Sequence, residues 1–221
     1  MENEDIIEIV PAILSKTSED LGSKVSKVGF APILQIDLMD GKFVGSKTVG
    51  LESLSNLPKD KIIEYHLMVE NPMRWIEALP GGKNSIFQVH LESCDFDDRE
   101  GIRDFVKSKG SELCWALNPG TDAGEVEDCV DYVNELLVMT VHPGKSGQSY
   151  ISEMEKKISE LRVDYPDLII EVDGGINEKT IPRAVCAGSN RLAAASALFE
   201  HADILSVFDK LKQIANDARS K

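Results

Sequence analysis

The chain has 221 residues, a formal net charge of −14 and a pI near 4.7, and 42% of its residues are hydrophobic, enough for a sizeable core. An acidic surface of this strength repels nucleic-acid backbones and anionic membranes, so neither is an expected partner. A phosphorylated small molecule is not excluded, because a small site holds phosphate with backbone N–H groups alone.

The segment Met1–Asp5 is acidic and has no basic stretch leading into an apolar one, so it does not read as a signal peptide. No apolar run approaches about 18 residues, the length of a membrane span. The expected location is the cytoplasm. Cys94, Cys114, Cys129 and Cys186 form no C-x-x-C pair and read as reduced and structural, with Cys114 and Cys186 in apolar surroundings.

In chain order, the first apolar run is Ile6–Ile13, followed by an amphipathic stretch over 18–29. Further short runs follow at Ile33–Met39, Ile62–Val69, Ile86–His90, Leu113–Leu117, Leu136–Val141, Leu168–Val172 and Arg191–Ala194. A terminal amphipathic helix spans Ile204–Ala218. Runs this short and rich in Ile, Val and Leu suit strands buried on both faces of a parallel sheet. Helical stretches between them imply repeated βα units of about 28 residues, so residues 1–221 read as one (β/α)8 TIM barrel in the α/β class. A doubly wound open sheet is the alternative. Its dinucleotide-binding version is weakened because no G-x-G-x-x-G follows the first strand.

Polar residues recur where these strands end: Asp37 and Asp40, His66, His90 and Glu92, Asn118, His142, and Asp173. In a parallel barrel those ends share the face that carries active sites. A charged group there is costly to bury without a partner, so several converging suggest a metal, a reaction or mutual ion pairing. Asp40 precedes Gly41 and suits a turn as well as chemistry. His90 reads as a hydrogen-bonded core histidine, and His142, before Pro143-Gly144, as a loop cap or a site residue. Asp37, His66 and Asp173 are ordinary hard or borderline metal ligands.

Glycines give a second signal. Gly144 and Gly147 follow strand six, Gly174 and Gly175 follow strand seven, and Ala195-Ser196 follows strand eight. Barrels often hold phosphate at the last loops, against a short helix. Met39, Met68 and Met139 lie near strand ends, either as core filler or as an apolar wall around a reactive intermediate.

Several segments carry a family resemblance: Pro11-Ala12-Ile13-Leu14-Ser15, Asp37-Leu38-Met39-Asp40-Gly41-Lys42-Phe43-Val44, His66-Leu67-Met68-Val69-Glu70-Asn71-Pro72, Ala116-Leu117-Asn118-Pro119-Gly120-Thr121, Val138-Met139-Thr140-Val141-His142-Pro143-Gly144, Gly147-Gln148-Ser149 and Glu171-Val172-Asp173-Gly174-Gly175-Ile176. On these the chain resembles the ribulose-phosphate 3-epimerases, in the family's order and over almost its whole length. The resemblance implies a carbohydrate isomerase inverting C3 of a ketose phosphate, D-ribulose 5-phosphate to D-xylulose 5-phosphate, through an enediolate. Asp37 and Asp173 would be both the acid/base pair and metal ligands, with His66 a third ligand. The cofactor would be one divalent ion: zinc, ferrous iron, manganese or cobalt. His66, Gly144, Gly147, Gln148, Gly174, Gly175 and Ser196 would hold the sugar phosphate, with Met39, Met68 and Met139 as an apolar cap. A homo-oligomer is compatible with the resemblance.

The chain departs from the family pattern at the site. Gln35 stands where a histidine ligand is usual, and an amide oxygen binds a hard cation but is a weaker zinc ligand than imidazole. Ala12 replaces a serine, Lys145-Ser146 replaces an aromatic-glycine pair, and Ala195 replaces a glycine. Proline is absent from the Val44–Thr48 loop, which favours a looser loop. These changes leave two other readings open. One is an epimerase or lyase for another sugar phosphate; the other is a sugar-phosphate binding protein with a disabled site.

Overall fold

The computed structural model describes residues 7–220. Eight parallel strands close into a barrel in sequence order: β1 (Glu8–Ile13), β2 (Ile33–Met39), β3 (Ile62–Met68), β4 (Ser85–His90), β5 (Glu112–Leu117), β6 (Glu135–Met139), β7 (Ile169–Asp173) and β8 (Arg191–Ala194). Closure is made by β8 pairing with β1, Glu8 opposite Arg191 and Pro11 opposite Ala194. Each apolar run in the sequence becomes a strand, with ends shifted by no more than two residues. Ile6, the first residue of the expected first run, lies outside the described residues.

Helices cover the outside: α1 (Ser18–Lys27), α2 (Pro72–Ala78), α3 (Phe96–Ser108), α4 (Met154–Asp164), α5 (Ile181–Ala187), α6 (Ser196–Phe199) and α7 (Ile204–Arg219). Their starts follow capping chemistry. Thr17 accepts from the Asp20 N–H, and Asn71 accepts from the Arg74 N–H with Pro72 at the first helical position. Two crossovers, β2 to β3 and β5 to β6, carry only 3-10 turns rather than the helix expected of a βα repeat. Gly41, Gly45, Gly50 and Pro58 interrupt the first, and Pro119, Gly120 and Gly124 the second, so neither sustains a helical run.

Alternate strand residues divide between two environments. Ile36, Leu38, Tyr65, Leu67, Phe87, Val89, Trp115 and Leu117 pack outward in the main core under the helices. The other parity faces the barrel interior, as bonds between non-adjacent strands require: Gln88 reaches Glu171, Arg191 reaches Glu64, and Gln35 reaches Asp173. The interior is therefore polar at two levels. The lower level holds Glu64, Gln88, Glu135, Glu171 and Arg191, all buried. Arg191 Nη1 donates to Glu64 Oε1 at 3.0 Å and to Glu135 Oε2, while Nε and Nη2 donate to Glu8 at the rim.

One guanidinium does not neutralise three buried carboxylates. Burial, with Glu135 nearby, pushes the Glu64 carboxyl up to about 8 even though Arg191 pulls it down. Burial and the neighbouring Glu64 and Glu135 also raise Glu171.

All four cysteines are free. Cys114 is buried, as expected, but Cys186 is exposed. It lies on α5, with its thiol directed at the Ala218 carbonyl of α7 at 3.9 Å. Among the described residues, no helix is long and apolar enough to cross a membrane.

Candidate active site

The upper level of the barrel interior is built by β2, β3, β4 and β7. Pairing of β2 with β3 sets Asp37 beside His66, and β7 brings Asp173 to the same point. His66 Nδ1 lies 3.3 Å from Asp37 Oδ1 and 3.3 Å from Asp173 Oδ2. Gln35 Nε2 lies 2.8 Å from each of those oxygens. The four side chains expected as a metal centre are thus brought to one spot.

Beneath them runs a chain of hydrogen bonds. His66 Nε2 and His90 Nε2 are 2.9 Å apart, and His90 Nδ1 is 3.3 Å from Glu92 Oε2. Burial alone would lower the His66 pKa, but hydrogen bonds to Asp173 and Asp37 dominate and raise it to about 9. Burial lowers His90. The Glu92 carboxylate only accepts, so a neutral His90 donates to it from Nδ1 and accepts at Nε2 from His66 Nε2. Burial would raise Glu92, yet bonds from His90, Thr121 and the Asn118 N–H bring it down to about 2. His90 is the hydrogen-bonded core histidine the sequence suggests, and its partner is a candidate ligand. A carboxylate behind a ligating imidazole fixes the ring's tautomer and orientation.

The Glu92 shift has a testable consequence. A folded pKa below the ordinary value of 4.5 adds stability above that pH, which is lost as pH falls toward about 2. Glu92→Gln should therefore lower Tm at pH 7, with the gap to wild type narrowing by pH 3. A constant gap across that window would remove Glu92 as the acid-sensitive group.

Above the carboxylates a pocket opens on the C-terminal face. Asp37 and Asp173 lie in it with Met39, Met68 and Met139. Its other walls are the loops after β6, β7 and β8, including Gly144, Gly147, Gln148, Gly174, Gly175 and Ser196. Lys145 and Ala195 also line it. Met39 and Met68 pack with Val44, and Met139 packs with Cys114, Ala116 and Leu137 inside the barrel, so the methionines are core residues and pocket wall at once.

His66 has no exposed surface and does not line the pocket; its Nδ1 meets the Asp37 and Asp173 carboxylates. Asp40 also resolves as a turn former: its carboxylate accepts from the N–H groups of Lys42, Phe43 and Glu70. His142 is exposed, and its carbonyl accepts from Gln148. Gln148 Nε2 spends its hydrogens on the His142 and Lys145 carbonyls, which shapes the loop. The Val44–Thr48 loop is tied at its base, where Thr48 exchanges bonds with the Met39 backbone.

The Gly174-Gly175 pair is required by the chain itself. Gly174 has φ +123°, and a Cβ there would lie 2.5 Å from Val141 Cγ2 and 2.8 Å from the Val141 nitrogen. A Cβ on Gly175 would lie 2.6 Å from the Tyr150 nitrogen. Gly174→Ala is expected to lower stability by about 1–3 kcal/mol, the usual cost of a strained backbone conformation. Urea unfolding measures it, and an unchanged midpoint would mean the loop shifts freely. Ala195, by contrast, has a negative φ of −106°, so no left-handed backbone calls for glycine there.

Sequence reasoning missed Thr140. Its N–H and hydroxyl both donate to the Asp173 carbonyl, and the hydroxyl also reaches the Gly174 carbonyl at 2.6 Å, fixing the turn that carries Asp173. It also missed the pairing of His90 with His66. The available signal was spacing: Gln35/Asp37, Glu64/His66, Gln88/His90 and Glu171/Asp173 are all two apart, the period of one strand face.

A closed parallel barrel with two carboxylates, an imidazole and a loop-walled pocket at the strands' C-terminal ends defines a (β/α)8-barrel enzyme site. Comparison with known proteins narrows the class. Residues 8–199 match the model of the ribulose-phosphate 3 epimerase family. The chain is 36% identical to ribulose-phosphate 3-epimerase of Bacillus subtilis (strain 168), covering 90% of this chain and 94% of that one. It is 35% identical to the cytoplasmic isoform from Oryza sativa subsp. japonica, covering 96% of each. The protein belongs to the ribulose-phosphate 3-epimerase family, and it is an isomerase acting on carbohydrates. Among solved structures, a 3-hexulose-6-phosphate synthase superposes with TM-score 0.67 at 17% identity, over 94% of this chain and 99% of that one, a likeness of fold.

Proposed function

We propose that this chain is a metal-dependent epimerase that interconverts D-ribulose 5-phosphate and D-xylulose 5-phosphate, with Asp37 and Asp173 as the acid/base pair. The observation that carries the reading is that these two carboxylates, from β2 and β7, meet in one pocket with a single amide between them. Inversion at carbon needs one base to take the C3 proton and a second acid to return a proton to the opposite face. The names of the curated relatives supply the substrate class.

Asp37, His66 and Asp173 suit a divalent cation. Two carboxylates and one imidazole are a hard-to-borderline donor set. Their donor atoms all lie within 4.8 Å of one another, so one ion would be within reach of all three. Gln35 as oriented does not fit, because it presents a hydrogen-bond donor. The cation, when bound, stabilises as a Lewis acid the negative charge that C3 deprotonation places on the sugar oxygens.

The remaining work falls to the chain. Met39, Met68 and Met139 exclude water above the carboxylates, which limits loss of the enediolate to side reactions. The loops bearing Gly144, Gly147 and Ser196 receive the phosphate end, with Lys145 adding positive charge. The Glu92–His90 chain holds His66 in register.

The test is incubation with D-ribulose 5-phosphate in deuterated water, with chelator or with zinc, manganese or ferrous ions, following C3 by proton NMR. Metal-dependent exchange with appearance of D-xylulose 5-phosphate supports the reading. Exchange only with a hexulose 6-phosphate moves the assignment to another sugar phosphate. Binding without exchange under every metal leaves a binding protein.

A further inference from the structure

Gln35 lies where a cation held by Asp37, His66 and Asp173 would need a fourth ligand. It is fully buried, and its Nε2 is 2.8 Å from Asp37 Oδ1, 2.8 Å from Asp173 Oδ2 and 3.3 Å from His66 Nδ1. A carboxylate only accepts hydrogen bonds, so a primary amide between two of them must turn its nitrogen inward, one hydrogen to each. The other end, Oε1, is then left buried with no donor among the described residues. A buried carbonyl without a partner is uncommon in a native interior and calls for a reason.

The two ends of an amide have opposite preferences. The nitrogen suits carboxylates and repels a cation; the oxygen ligates a cation and repels carboxylates. A half-turn of one bond exchanges them.

We propose that Gln35 is a metal-selecting latch: its nitrogen bridges Asp37 and Asp173 in the cation-free site, and its oxygen turns inward as a fourth ligand when a hard divalent cation enters. The proposal rests on the metal-dependent reading above. Two consequences follow, and a change in the Gln35 amide on cation binding separates the latch from simple loss of a ligand. Every cation must break two amide–carboxylate bonds, so affinity is lower than with imidazole at this position. The donor set also becomes three oxygens and one nitrogen, which shifts preference away from zinc toward manganese or magnesium.

The measurements are dissociation constants for Zn²⁺ and Mn²⁺ by chelator competition, together with the Gln35 side-chain NH₂ pair in ¹H–¹⁵N spectra, assigned by its absence in Gln35→His. Gln35→His is expected to tighten Zn²⁺ by about 10–100-fold, the usual scale for changes around a metal site, and Mn²⁺ by clearly less. Should Gln35→His misfold, Gln35→Glu serves. It is isosteric, cannot donate, and is expected to tighten Mn²⁺ while lowering Tm in chelator. In wild type, saturating Zn²⁺ or Mg²⁺ should move the Gln35 NH₂ pair and speed its exchange with solvent. An NH₂ pair unmoved by bound cation, or a Zn²⁺/Mn²⁺ ratio unchanged in Gln35→His, overturns the latch. So does absence of any cation binding to wild type. In that last case C3 exchange in the chelator-treated protein decides separately whether the epimerase reading stands.

Discussion

Asp37→Asn and Asp173→Asn are each expected to slow C3 epimerisation by about 10²–10⁴-fold, the usual contribution of a positioned acid or base. The substitutions are isosteric, and each leaves an oxygen that accepts from Gln35 Nε2, so the local packing survives. On the proposed mechanism, what is lost is the proton-transfer group on one face of the sugar. A two-base site makes a finer prediction than loss of turnover. With one carboxylate gone, the other can still exchange the C3 proton of the epimer whose hydrogen it faces, without inverting it. Each variant should therefore uncouple deuterium incorporation from inversion, and the two variants should do so from opposite epimers. Separate product and exchange assays, starting from each pentulose phosphate, read this out. If one variant lost everything and the other nothing, a single group would be doing both transfers.

Arg191→Met should destabilise the barrel by about 3–5 kcal/mol at pH 8, the scale for stripping a buried ion pair of one partner. Arg191 is the cation that reaches Glu64 and Glu135 inside the barrel, and its removal leaves buried carboxylates without a counter-charge. The loss should shrink in acid. The Glu64 pKa is raised to about 8 in the fold against an ordinary 4.5, so its neutral form is the one the interior tolerates. With a raised folded pKa, its contribution is fully present below about pH 4.5 and is lost as pH rises through about 8. Chemical denaturation of wild type and variant at pH 5.5 and pH 8 measures both parts. Glu64→Gln added to Arg191→Met should recover part of the loss at pH 8. Equal stability of Arg191→Met and wild type at pH 8 would show that the guanidinium compensates nothing.

Much of this molecule is legible in its sequence because the governing physics is local or periodic. Strands buried on both faces need unbroken apolar runs, and eight such runs at regular spacing leave few ways to close a parallel sheet. Asp37, His66 and Asp173 stood out because a charged group at the end of an apolar strand needs a partner. The two crossovers without helices were less legible, since glycine and proline mark an interruption but not what replaces it.

The tertiary structure decided what these residues meet. Gln35 reads in sequence as a weakened ligand, and only the meeting of β2 and β7 shows its nitrogen held by two carboxylates. Gly174 and Gly175 read as a phosphate cradle, yet the close approaches they permit are to Val141 and Tyr150. Glu64, Glu135 and Arg191 give no local signal in the sequence, because the partners of Arg191 lie across the barrel, 127 and 56 residues away in the chain. Sequence carries the period of a strand and the chemistry of its end. Which polar side chains face one another inside the barrel depends on register and closure, which no local stretch of chain encodes.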